Sequence, residues 1–128
     1  MTKYLTCEEV IAINIFVIQT FSPDEQNGVK FPTLLDSAVN RPKQSAFGED
    51  AYPTIFDKAA ALLESLAQNH SFHSANKRTA FLSLLQFLSY NGHTFVMDTQ
   101  QAADVVVDVV NHQYTLEQLA RVIELHTT

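Results

Sequence analysis

Apolar positions along the chain recur mostly three and four residues apart, the spacing of helices, and rarely with the alternation of a strand. The first run follows "TCEE", where Thr6 as N-cap and Glu9 three residues later form a capping box. Val10, Ile11, Ile13, Asn14, Val17 and Ile18 then share one face of a helix reaching about Thr20. "SPDEQNGVKF" is a polar turn segment. Pro32 sits where first-turn prolines sit, so "PTLLDSAVN" predicts a short second helix that stops before Pro42. "RPKQSAFGEDAY" has no period. It is the longest irregular stretch, with Phe47 among small and charged neighbours, and reads as a connecting or functional loop.

Pro53 opens a third predicted helix, "PTIFDKAAALLESLAQNH", with Ile55, Ala59, Leu62, Leu63 and Leu66 on one face. The next runs from Asn76 to Tyr90 and ends at "NG". It is apolar nearly all round, at Ala80, Phe81, Leu82, Leu84, Leu85, Phe87 and Leu88, which predicts the buried central helix. "HTFVM" reads as a short extended piece. Thr99 is the expected cap of "QQAADVVVDVVN", and Thr115 with Gln118 forms a capping box before the last helix, "LEQLARVIELH". The expectation is an all-α bundle of about six helices around a buried centre.

At 128 residues the chain is expected to form one domain, 1–128. A chain of this size buries roughly two thirds of its unfolded surface and needs no covalent staple. The one cysteine, Cys7, has no internal partner and reads as a small hydrophobe in the first turn of its helix. The N-terminal "MTKYLTCEEVIAI" is interrupted by Glu8 and Glu9 and does not read as a signal peptide. No run approaches the roughly 18 apolar residues of a membrane span, so a cytoplasmic protein that does not bind membrane is expected. The net charge is −6, from 14 acidic against 8 basic residues. That balance argues against direct binding of nucleic acid, which draws its affinity from neutralised phosphates.

A local anion site remains open, and one stretch supports it: "HSFHSANKRTA", His70 to Ala80. It turns from the third helix into the fourth. The first N–H groups of a helix lack internal acceptors, and the helix dipole makes that end electropositive. Ser74 and Ala75 are small enough for an anion to approach. Asn76 reads locally as a helix cap. Lys77 and Arg78 oppose the dipole, an arrangement that a bound phosphate would explain. His70 brings an imidazole, a side chain suited to general acid–base work, to the other side of the turn, and Phe72 reads as the anchor that fixes it.

The same stretch resembles the signature of the Fic/Doc family, and specifically its Doc branch, in which His-x-Phe is followed by a small residue and Asn-Lys-Arg. The segments on either side, "NRPKQSAFGEDAYPTIFDKAAALLESLAQNH" and "FLSLLQFLSYNGHTF", are similar to Doc sequences too. The resemblance implies a compact all-helical Fic/Doc-type bundle and a nucleotide-dependent transferase. By that likeness His70 is the base that deprotonates a protein hydroxyl. Asn76, Arg78 and the main chain at Ser74 and Ala75 hold nucleotide phosphates. Lys77 stands where adenylylating relatives carry Gly, and Phe81 where they carry a further arginine. Both differences imply a reversed nucleotide and transfer of the γ-phosphate of ATP, with elongation factor Tu as target. The Doc branch also implies an antitoxin partner whose disordered tail folds as a helix onto the toxin.

Ser74 departs from the family pattern, which places Asp or Glu there to hold Mg²⁺. A neutral hydroxyl is a weak ligand for a hard cation. Three outcomes are open: Ser74 binds metal through water, Glu49 or Asp50 in the preceding loop completes the site, or the protein is slow or inactive. The rival readings are an adenylyltransferase, or a protein of this fold that binds nucleotide or antitoxin without turnover.

Overall fold

Three helices begin at the reciprocal side-chain bonds of a capping box. The computed structural model describes residues 1–128. Its first helices are α1 (Cys7–Phe21) and α2 (Pro32–Asn40), and a 3-10 turn (Arg41–Lys43) follows directly. A small antiparallel hairpin, β1 (Ser45–Ala46) and β2 (Glu49–Asp50), leads into α3 (Ile55–Asn69). α4 (Asn76–Tyr90), α5 (Thr99–Val110) and α6 (Leu116–Leu125) complete the chain, so the expected bundle of six helices is present.

The capping boxes of α1 and α6 are those read from the sequence, Thr6 with Glu9 and Thr115 with Gln118. α3 has one that the sequence reading missed: Thr54 caps it and Asp57 returns the bond, while Pro53 lies before the cap. α5 also starts one residue earlier in its capping. Asp98, not Thr99, is the N-cap, and its carboxylate accepts from the N–H groups of Gln100 and Gln101 at 3.1 and 3.2 Å. A full negative charge at that end also meets the helix dipole favourably.

The bundle does have a buried central helix, but it is α3 rather than α4, which carries more large apolar side chains. α3 packs against α2, the 3-10 turn, α4, α5 and α6. Its alanines Ala59, Ala60, Ala61 and Ala67 are all fully buried, and small side chains let neighbours approach from several sides. α4 instead buries one face, through Thr79, Ala80, Ser83, Leu84, Phe87 and Leu88. Phe87 is 0% exposed, so Phe87→Ala would remove about 3–5 kcal/mol. Leu82 and Leu85 are only partly covered, and with Ile13 and Phe16 they line an open groove between α1 and α4. The number of large apolar side chains points to α4, while the small size of the α3 alanines decides which helix sits in the middle.

The irregular stretch after α2 holds the 3-10 turn and the hairpin. Phe47 and Gly48 form its two-residue turn, both with positive φ, 54° and 79°, as the twist of a tight hairpin requires. The Phe47 ring stands entirely in solvent. Lys58, buried on α3, holds the base of the hairpin by donating to the Tyr52 carbonyl and to Asp50 Oδ2 at 3.1 Å. The "HTFVM" segment is extended and pairs with the chain end through a Phe95–Thr127 bridge, with Val96 N–H donating to the His126 carbonyl at 2.7 Å. Cys7 is half-buried against the core, and burial, with Asp36 nearby, pushes its thiol pKa up. No helix is long and apolar enough to cross a membrane.

Candidate functional site: a turn between two helices

The junction of α3 and α4 carries two residues in the left-handed backbone region, one at each end. His70 closes α3 with φ 50° and ψ 48°, and Ala75 precedes α4 with φ 62° and ψ 30°. Neither is glycine, and a left-handed L-residue costs about 1 kcal/mol or more. Such strain persists only where surrounding contacts fix it.

Those contacts are visible. The Ser71 carbonyl accepts from the N–H groups of Lys30 and Phe31 at 2.7 and 3.0 Å, and His73 N–H donates to the Gly28 carbonyl at 3.2 Å. Val29 and Phe72 form an antiparallel bridge, so the α1–α2 connection runs beside the turn like a short strand. Phe72 is 3% exposed and belongs to the main core cluster. Asn76 does not cap α4. Its Oδ1 accepts from Phe72 N–H and its Nδ2 donates to the Phe72 carbonyl, both at 3.0 Å, clipping the turn closed. An amide offers a donor and an acceptor side by side, which is what both groups of one residue require.

With Asn76 committed to Phe72 and no side-chain cap on α4, the helix start stays open. The N–H groups of Ala75, Asn76, Lys77 and Arg78 donate to no main-chain carbonyl; the first such bond runs from Thr79 N–H to the Ala75 carbonyl at 2.9 Å. Successive free N–H groups beside a left-handed residue make an anion-binding concavity. Lys77 and Arg78 are exposed beside it, and neither takes part in an ion pair. The positive field at this end of α4 is therefore unneutralised by the protein.

This turn forms one side of a cleft of about 750 Å³. His70, His73, Ser74, Ala75, Asn76, Lys77 and Arg78 all line it, together with Phe81. The opposite wall is apolar, from Met97 and the α5 residues Ala102, Ala103, Val106 and Val107. The one carboxylate in the lining is Glu25. Neither acid named from the sequence lies there. Asp50 is drawn to the Lys58 ammonium at the hairpin base, and Glu49 points into solvent on the same strand. No group of three or more His, Cys, Asp or Glu side chains comes together anywhere in the chain.

Asn14 was read as one position of an apolar stripe and proves to be part of this construction. It is 1% exposed on α1, and its Nδ2 donates to the Ser74 carbonyl at 3.0 Å and to Thr79 Oγ1 at 3.1 Å. A polar residue recurring at core spacing was the available signal. Phe21 was also missed: its ring lies under the Arg78 guanidinium.

Fold and site together define an all-helical domain that presents an open helix start, two unpaired bases and a histidine around one cleft. The pattern of the Fic/DOC family matches residues 4–88, and the chain belongs to that family. It is similar to Toxin Doc of Mycolicibacterium smegmatis (strain ATCC 700084 / mc(2)155), at 38% identity over 122 residues, 94% of this chain and 90% of the relative. It is also similar to Protein kinase doc of Escherichia phage P1, at 28% identity over 118 residues, 92% of this chain and 90% of that protein. The resemblance to the Doc branch therefore extends over nearly the whole chain.

Proposed function

We propose that residues 1–128 form a single Doc-like toxin domain that acts in the cytoplasm as a protein kinase, transferring the γ-phosphate of ATP to a Ser or Thr hydroxyl of a translation factor, elongation factor Tu. The observation that carries this reading is the open start of α4, four main-chain N–H groups flanked by unpaired Lys77 and Arg78, with His70 lining the same cleft. The kinase name of the phage relative supports the reaction class. Its partner in the cell is an antitoxin whose disordered tail folds as a helix onto the domain.

His70 takes the proton from the incoming hydroxyl, and the freed oxygen forms a bond to the γ-phosphorus. The bond from that phosphorus to the bridging oxygen breaks, and ADP leaves. The N–H groups of Ala75 to Arg78, with the Arg78 guanidinium, balance charge on the phosphoryl oxygens, which is most of what phosphoryl transfer asks of a protein. Asn76 contributes by holding the turn, and its own N–H faces the phosphates. The side chain of Lys77 takes up room at the helix start that an adenylylating pose would use for phosphate, and Phe81 supplies no second charge. Both features weigh against AMP transfer.

Ser74 and Glu25 are the cleft residues that would hold a Mg²⁺ ion, which would supply positive charge to the transferring phosphates. Mg²⁺ is usually held by one or two carboxylates together with phosphates. Ser74 offers only a hydroxyl, and Glu25 is the single carboxylate of the cleft. That donor set fits the ion weakly, which favours a second reading: a protein that binds nucleotide or antitoxin with slow or no turnover.

Transfer assays with ATP labelled at the α- or γ-phosphate, Mg²⁺ and purified elongation factor Tu test both, with Ser74→Asp alongside. Label from the γ-position alone supports the kinase, and label from the α-position overturns it in favour of an adenylyltransferase. Transfer by Ser74→Asp but not by the native chain would establish the binding-only reading.

A further inference from the structure

We infer that Asn14 is a positioning residue that aims the anion-binding N–H groups, acting from α1 on a turn sixty residues away. The inference rests on the nucleotide reading above for its functional meaning, and on geometry for its substance. Every peptide bond here is trans, so the carbonyl and N–H of one peptide unit point in opposite directions. Asn14 is buried and draws the Ser74 carbonyl inward at 3.0 Å. The N–H of that same peptide belongs to Ala75 and must face the other way, toward the cleft that Ser74 and Ala75 line. It is the first of the four free N–H groups.

The second bond of Asn14, to Thr79 Oγ1 at 3.1 Å, reaches the first residue of α4 whose N–H is used inside the helix. One amide thus grips both ends of the open segment from Ser74 to Thr79 and fixes its orientation relative to α1. Stability alone does not account for it. Asn14 Oδ1 is buried with no partner, which opposes folding and makes the residue a costly choice for the core. A polar residue that is suboptimal for the core and bonded to a strained, solvent-facing turn fits a role in holding that turn.

The test separates the two roles with Thr79→Val, Asn14→Leu/Thr79→Val and Asn14→Asp. Three quantities are read: urea unfolding, ATP affinity by calorimetry, and the Ala75 Cα and Cβ chemical shifts, which report left-handed backbone. Thr79→Val, which removes one of the two bonds, should weaken ATP binding less than the double variant does. The double variant should bind ATP about tenfold more weakly than the native chain, with Ala75 shifts moved off their left-handed values. Asn14→Asp, whose carboxylate cannot donate to the Ser74 carbonyl once it ionises, should lose affinity in the same way at pH values above its titration and covers the case in which the double variant does not fold. Native affinity and native Ala75 shifts in the double variant or in Asn14→Asp would overturn the inference. Should the native chain bind no ATP, the nucleotide reading fails, and the Ala75 shifts alone still decide the role of Asn14.

Discussion

The guanidinium carbon of Arg78 lies 4.3 Å from the centroid of the Phe21 ring, so the last residue of α1 supports the charge at the start of α4. Phe21 is otherwise hard to explain: it is 55% exposed, and a large apolar ring in water contributes little to folding. A planar, weakly hydrated guanidinium is well suited to lie on such a face. The stack narrows the range of Arg78 positions without neutralising its charge, as a carboxylate would.

Phe21→Ala should therefore weaken ATP binding by about two- to fivefold, the value of an exposed cation–π contact of about 0.5–1 kcal/mol. Phe21→Tyr, which keeps the aromatic face, should retain affinity. Calorimetry, with thermal melts as a control for folding, reads both. Equal affinity in Phe21→Ala would mean that Arg78 is held by its own helix and not by the ring.

At His70 stability and activity should move in opposite directions. Its φ of 50° suits glycine better than any residue with a Cβ, and its imidazole is exposed in the cleft. His70→Gly should stabilise the chain by about 1 kcal/mol or less while lowering phosphate transfer by roughly 10²–10⁴. His70→Ala should lose as much rate with no such gain. Urea unfolding and γ-labelled transfer measure the two effects, and a fully active His70→Gly would remove His70 from the chemistry.

Acid sensitivity should trace in part to Glu9. Its carboxylate accepts a hydrogen bond from the Tyr90 hydroxyl, and this bond, opposed next by burial and reinforced by those from Thr6, holds its pKa below the usual carboxylate range. A depressed folded-state pKa stabilises above the unfolded value, near 4.3, and that contribution disappears as pH falls through the folded value. Tyr90 is shifted the other way: its pKa is raised, first by the bond to Glu9, so its contribution is present below about 10 and is lost at higher pH. Tyr90→Phe should flatten the stability profile below about pH 5 and above about pH 10. Urea midpoints across pH would show this, and a profile parallel to the native one would assign the acid transition to other carboxylates.

How far these features could be read in advance depended on range. Thr6–Glu9 and Thr115–Gln118 span three residues each, and a contact that short is written in the order of the letters. The turn from His70 to Arg78 was legible for the same reason, since its parts are consecutive. Asn14, Phe21 and Gly28 act on that turn from a different helix and loop, and nothing local marks them. Asn14 looked like a tolerated interruption because periodicity records where a residue faces and not what it bonds. The choice of α3 as the centre depended on alanine's small size, which a count of large apolar residues ranks low. Asp50 looked available to a metal until folding placed the Lys58 ammonium beside it.

Lys58 and Asp50 give the last test, because their burial is unequal: the lysine side chain is 3% exposed and the aspartate 60%. Removing the buried member leaves Asp50 to water, so Lys58→Met should change global stability by no more than about 1 kcal/mol. Removing the exposed charge leaves a buried ammonium with the Tyr52 carbonyl as its remaining partner, so Asp50→Asn should cost about 1–3 kcal/mol. The hairpin should respond in the opposite order. Lys58→Met cuts both bonds that tie Asp50 and Tyr52 to α3, and the amides from Ser45 to Asp50 should exchange with deuterium faster than in Asp50→Asn, which keeps the Tyr52 bond. Urea unfolding and hydrogen exchange on the two variants separate these effects. A larger stability loss in Lys58→Met would show that the two bonds of the ammonium outweigh the cost of leaving it partly unpaired, and would overturn the predicted order.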